Sequence, residues 1–131
     1  MLILYQSFLL LYFISMNWIT ITSEKDVQDL ASSEEYVLIY KHSPRCMTSL
    51  MAFKSMKSGS EADYSIPFYM VDVIQNRDMS RLIAETFAVR HESPQVLIVK
   101  NGKCVYNISH ESIVLRDVVA KINSLTKEFS N

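Results

Sequence analysis

Glycine and cysteine are scarce in this chain: two of each among 131 residues, alongside three prolines and one tryptophan. With only Gly59 and Gly102 available, neither a phosphate-cradling P-loop nor a dinucleotide-binding glycine fingerprint can be written. Two cysteines, Cys46 and Cys104, cannot staple a secreted disulfide scaffold. His42, His91 and His110 lack the spacing of a helix-borne metal pair, so no zinc set assembles and no metal site is expected. A charge excess is missing too. Thirteen Lys+Arg against fourteen Asp+Glu give a net charge of −1, which excludes a basic nucleic-acid footprint. An apolar fraction of 49% excludes disorder, and the length suits one domain with a real core.

The apolar residues are unevenly placed. Residues 1–15 (MLILYQSFLLLYFIS) hold twelve of them, and no charge precedes Glu24. A secretory signal would carry positive charge before the run and small residues at a cleavage site, and neither is present. A membrane anchor needs about 20 apolar residues, a length reached here only by taking in Trp18-Ile19-Thr20-Ile21. That alternation is the pattern of a first short strand. The expectation is therefore that the apolar N-terminal extension over residues 1–15 is a start-site artefact, and that the domain over residues 16–127 starts at Met16. The alternative is an N-terminal membrane anchor.

After the first strand, Thr22-Ser23 and the acids that follow predict a helix to about Ser32, with Val27, Leu30 and Ala31 inward. Residues 36–40 form a buried strand, and Lys41-His42-Ser43-Pro44-Arg45-Cys46 leaves it as a loop. Met47, Leu50, Met51 and Met56, with Phe53, mark a second helix by spacing, ending at about Lys57 to Ser60. A strand over residues 66–73 precedes a third helix capped by Asn76, with Met79, Leu82, Ile83 and Phe87 on one side. Residues 96–99 and 103–108 pair across Asn101-Gly102, the strongest hairpin signal in the chain. Ile113, Val114, Val118, Ile122 and Leu125 mark the last helix. Crossover helices imply parallel strands early and the hairpin an antiparallel pair late, so the fold class is α/β with a mixed central sheet covered on both faces.

The chemistry centres on Cys46, at a strand–loop–helix junction. A helix start offers unpaired N–H groups and partial positive charge, and a thiol there ionises more easily. Lys41, Arg45 and protonated His42 add cationic charge nearby. Three residues on stands Ser49, not a second cysteine, so a mixed disulfide formed on Cys46 must be resolved by an outside thiol. Cys104, after the hairpin turn, is a core or edge residue and no resolving thiol.

Val71-Asp72-Val73, the helix after Asn76, Val89 ahead of Ser93-Pro94, and Val99-Lys100-Asn101-Gly102-Lys103 resemble the second half of thioredoxin. More narrowly, Tyr40-Lys41-His42-Ser43-Pro44-Arg45-Cys46, Arg90-His91-Glu92-Ser93-Pro94-Gln95-Val96 and Ser109-His110 resemble the monothiol bacilliredoxins, over residues 17–122. The resemblance implies a thioredoxin-like three-layer α/β/α sandwich with Pro94 as a cis-proline facing the cysteine. It implies Cys46 as the single active cysteine of a thiol-disulfide oxidoreductase that acts on bacillithiol mixed disulfides. Lys41, His42, Arg45, Ser93 and Pro94 form the expected substrate-binding set, with Arg45, and Lys41 or Arg90, meeting the carboxylates of bacillithiol. Bacillithiol is then a co-substrate with no tightly bound cofactor. The partners are bacillithiolated client proteins and a low-molecular-weight thiol, with no nucleic acid, for a cytoplasmic monomer that touches a membrane only if residues 1–15 anchor it. Two positions depart from the family pattern: Met47 stands where its members carry proline, and Pro44 where they carry serine or threonine. Two other readings are a monothiol glutaredoxin-like protein sharing an iron–sulfur cluster and a non-catalytic thioredoxin-fold binding module.

Overall fold

The computed structural model describes residues 18–57 and 65–127; the apolar run 1–15, the expected start at Met16, and Ser58 to Ser60 lie outside them. In chain order the elements are β1 (Ile19–Thr20), α1 (Glu24–Ala31), β2 (Val37–His42), α2 (Met47–Lys57), β3 (Phe68–Asp72), α3 (Arg77–Thr86), β4 (Gln95–Lys100), β5 (Lys103–Ser109), a 3-10 turn (His110–Ser112) and α4 (Leu115–Lys127). The strands form one sheet in the order β1-β3-β2-β4-β5. The pairs β1·β3 and β2·β3 are parallel, whereas β2·β4 and β4·β5 are antiparallel.

Local chemistry accounts for most boundaries. Ser23 caps α1: its hydroxyl accepts the Asp26 N–H, while the Asp26 carboxylate accepts the N–H of Ser23 at 3.1 Å and of Thr22 at 2.9 Å. Such a reciprocal cap contributes about 1 kcal/mol. At the hairpin, Asn101 (φ 52°) and Gly102 (φ 74°) are both left-handed, the backbone a two-residue turn needs to match strand twist. A Cβ on Gly102 would also sit 3.3 Å from the Ala31 carbonyl, so close approach as well as φ favours glycine. Beyond the turn, the register steps from Val99↔Cys104 to Ile98↔Tyr106, leaving Val105 as the extra residue of a bulge in β5.

All six residues of β2 are buried, as expected of a central strand covered on both faces. On one face Val37, Ile39, Val71, Leu97 and Val99 pack with Val27 and Leu30 of α1 and Ile83 of α3. On the other, Leu38, Tyr40, Val96 and Ile98 pack with Ala52 and Met56 of α2 and Val118 and Ile122 of α4. Trp18 meets Tyr40, Phe53 and Phe68 edge-on at 5.1–5.7 Å between ring centroids. No helix among the described residues is long and apolar enough to cross a membrane.

Two expectations need correction. Strand β2 runs on through Lys41 and His42, because both polar side chains find buried partners. Asn76 makes no side-chain cap bond at α3; instead the Asp72 carboxylate accepts the N–H groups of Ile74 and Gln75 at 2.9 Å. The helix read from the spacing is present as α2, with Met47, Leu50 and Met51 exposed. Its inner face is Ser49, Ala52 and Met56, with Phe53 half-buried, because a hydroxyl at position 49 is bonded from beneath.

Candidate functional site

The C-terminal end of β2, the start of α2 and the loop before β4 meet at one end of the sheet. The turn after His42 brings the Cys46 N–H onto the Ser43 carbonyl at 3.1 Å. The Cys46 carbonyl then accepts the Leu50 N–H at 3.0 Å, the first bond of α2. Cys46 is thus the boundary residue of the helix, partly exposed and beside its uncompensated N–H groups.

Beneath it lies a closed polar cluster. Ser49, fully buried, receives the Ser43 N–H on its Oγ at 2.8 Å and pairs through the same oxygen with His42 Nδ1 at 2.9 Å. Tyr40 Oη donates to the Ser49 carbonyl at 2.9 Å. Phe53 closes over both rings, 4.6 Å from His42 and 5.7 Å from Tyr40 between centroids. Burial pushes the His42 pKa down, opposed by the Asp72 carboxylate, so the imidazole is neutral at pH 7. Burial likewise pushes the Tyr40 phenol up. The place where a dithiol enzyme keeps its second sulfur is therefore a serine whose oxygen is already committed.

Lys41 points to the opposite face of the sheet, as strand alternation demands. It is fully buried, with Nζ donating to the Ser80 carbonyl at 3.1 Å and 3.1 Å from His91 Nδ1. Among the described residues no carboxylate is bonded to it, and burial lowers its pKa to about 8, so it stays mostly charged at pH 7. His91 also approaches the Ser80 hydroxyl at 3.2 Å, and its pKa is lowered by burial and then by Lys41 and Arg81.

The loop before β4 is held by a side chain the sequence reading passed over. Gln95, buried, donates from Nε2 to the Arg90 carbonyl at 3.1 Å and accepts the Glu92 N–H at 3.4 Å. The Ser93–Pro94 peptide is cis, and the Pro94 carbonyl accepts the His110 N–H at 3.0 Å. Ser93 Oγ is buried without a hydrogen-bond partner.

Of the expected residues, Cys46, Arg45, Ser93 and Pro94 share this end of the sheet, and Arg45 is exposed. Lys41 and His42 are enclosed, facing opposite sides. Ser49 was legible only as the absence of a second cysteine, and nothing in the spacing announced the Lys41–His91 contact. Cys104 is remote: it pairs with Val99, which pairs with Val37 at the other end of β2. The five residue steps from Val37 to His42 amount to roughly 17 Å. Its Sγ donates to the Tyr106 carbonyl at 3.2 Å, and burial raises its pKa. Among the described residues, no three His, Cys, Asp or Glu side chains converge as a metal site.

Known proteins share this fold. A solved thioredoxin-fold protein is 30% identical, with a TM-score of 0.70 over 80% of this chain and 92% of its own. Thioredoxin from Trypanosoma brucei brucei matches at 12% identity and a TM-score of 0.71, over 86% of this chain and 94% of its own. Malassezia sympodialis thioredoxin matches at 16% identity and 0.66, over 82% and 90%. These establish the thioredoxin fold, and the model of the monothiol bacilliredoxin BrxC family matches residues 19–118. With a lone cysteine at the head of α2 and a serine in the second sulfur's place, the chain belongs to the monothiol bacilliredoxin family, thiol oxidoreductases on the thioredoxin fold.

Proposed function

We propose that this protein removes bacillithiol from mixed disulfides on client proteins through a Cys46–bacillithiol intermediate. The observation that carries the reading is Ser49: buried, and bonded to Ser43 and His42 in place of a resolving thiol. The Cys46 thiolate attacks the bacillithiol sulfur, the client–sulfur bond breaks, and the client thiolate leaves to take a proton from water. A second bacillithiol thiolate attacks the bacillithiol sulfur of the adduct, yielding bacillithiol disulfide and restoring the Cys46 thiolate. Each step consumes one disulfide and forms one, so electrons balance. Arg45, exposed beside Cys46, suits a carboxylate of the thiol. Ser93 and Pro94 offer backbone and an apolar wall to the substrate. Lys41 and His42 act through His91 and Ser49.

Incubation with a bacillithiolated client, followed by intact-mass analysis, tests this. The expected result is a bacillithiol adduct on Cys46, with client release abolished in Cys46→Ala and unchanged within about twofold in Cys104→Ala. Absence of the adduct, or release by Cys46→Ala at the native rate, overturns the proposal.

A further inference from the structure

Beside the described site, a cleft of about 340 Å³ opens between the end of β3, the start of α3 and the loop before β4. Val73, Ile74, Arg77, Ser80, Arg81 and His91 line it. It adjoins the thiol end of the sheet, because the Val73 N–H donates to the His42 carbonyl at 2.9 Å and His91 lies two residues before Ser93.

The charges here are arranged against the fold's own interest. Arg77 occupies the first position of α3, where the helix dipole disfavours a cation. Arg81 follows four residues later on the same face, where like charges repel. The helix start has no side-chain cap. Behind them sits the buried Lys41 ammonium, 3.1 Å from His91 Nδ1. Since a charged Lys41 donates to Nδ1, His91 is neutral and carries its proton on Nε2, one more donor. Among the described residues no acid lines the cleft: Asp78 of the first turn is not among its walls, Asp72 caps Ile74 and Gln75, and Glu92, the acid whose charge reaches His91, lies 4.0 Å from His110. Walls of two guanidinium groups, an imidazole and a hydroxyl suit an anion.

We propose that this cleft receives a carboxylate of the disulfide substrate, held by Arg77 and Arg81 while its sulfur meets Cys46. The inference rests on the proposed thiol exchange for the word substrate but not for the site itself. Guanidinium groups grip carboxylates in a planar, paired manner, which fixes orientation as well as charge. The carboxylate has two possible sources, the low-molecular-weight thiol or an acidic side chain of the client.

Two measurements decide the matter. Titration of isotopically labelled protein with succinate, against succinamide and sodium chloride controls, is expected to give saturable amide shifts at Arg77, Ser80, Arg81 and His91. In the R77Q/R81Q variant they should weaken at least tenfold, and R77K/R81K, which keeps the charge without the paired donors, should restore only part of the effect. Second, kcat/KM is compared for one client carrying bacillithiol or uncharged 2-mercaptoethanol. A loss of about tenfold in R77Q/R81Q on the bacillithiol adduct alone places the thiol's carboxylate in the cleft. An equal loss on both places the client's there. Absence of succinate-specific shifts overturns the anion site whatever Cys46 does, and undiminished kcat/KM on both adducts overturns its substrate role. Succinate binding without a Cys46 adduct would instead uphold the site and sink the proposed exchange.

Discussion

Lys41 and His42 are neighbours in one strand, yet they head two unlike polar clusters. On the α2 side, Tyr40, His42 and Ser49 form a closed hydrogen-bonded set around the head of the helix that carries Cys46. On the α3 side, the buried Lys41 ammonium meets His91 behind an open cleft that Arg77 and Arg81 line. The first cluster satisfies its own groups, and its value is positional: it fixes the turn of backbone from which the thiol projects. The second leaves its charge unanswered, and its value lies in what it can attract. One strand thus serves both sides of the site, because alternation sends successive side chains to opposite faces.

The largest expected difference between the clusters is in their response to alkali. Lys41 has a folded pKa of about 8, below the 10.5 of an exposed lysine, so the unfolded chain binds more protons between those values. Native stability therefore rises with pH through that window, and the penalty is fully present below it. Relative to Lys41→Met, the native protein is expected to gain up to about 1.4 kcal/mol per pH unit, roughly 3 kcal/mol in all, by urea unfolding at pH 7 to 11. A flat difference would show that Lys41 titrates in the fold as it does in the unfolded chain.

Next in size is Ser49→Ala, which leaves the Ser43 N–H and His42 Nδ1 without their shared oxygen. Stranding buried polar groups is expected to cost about 2 kcal/mol in unfolding free energy, with no alkaline dependence of the kind Lys41 gives. The smallest effect belongs to Tyr40→Phe. It removes one donor to the Ser49 carbonyl while keeping the stack on Phe53, a loss of about 1 kcal/mol. If Tyr40→Phe proved as costly as Ser49→Ala, the Tyr40–Ser49 bond, and not the His42–Ser49–Ser43 set, would be what holds the helix head.

Much of this was readable beforehand, and for physical reasons. Cys46 stood out because a strand-loop-helix junction is recognisable from periodicity, and its monothiol character because position 49 is a serine. Ser23, Asp26, Asn101 and Gly102 declared their cap and turn because those motifs are local. The apolar spacing of α2 announced the helix but not which side of it faces inward. Met47, Leu50 and Met51 are exposed while Met56 is buried, since Ser49 is drawn inward by Tyr40, His42 and the Ser43 N–H. Hydrophobicity alone does not report a buried polar set whose members come from two elements.

By itself, then, the sequence determined what depends on neighbours along the chain: element order, the antiparallel hairpin, the lone thiol at a helix head and the family pattern. Tertiary structure alone decided which side chains meet. It placed Cys104 at the far end of the sheet, brought His91 to Lys41 across 50 positions, and gathered Arg77 and Arg81 over the same cleft. Local propensity acts through bonds and turns a few residues long. Burial, charge and hydrogen-bond satisfaction between distant segments exist only once the sheet has set its register.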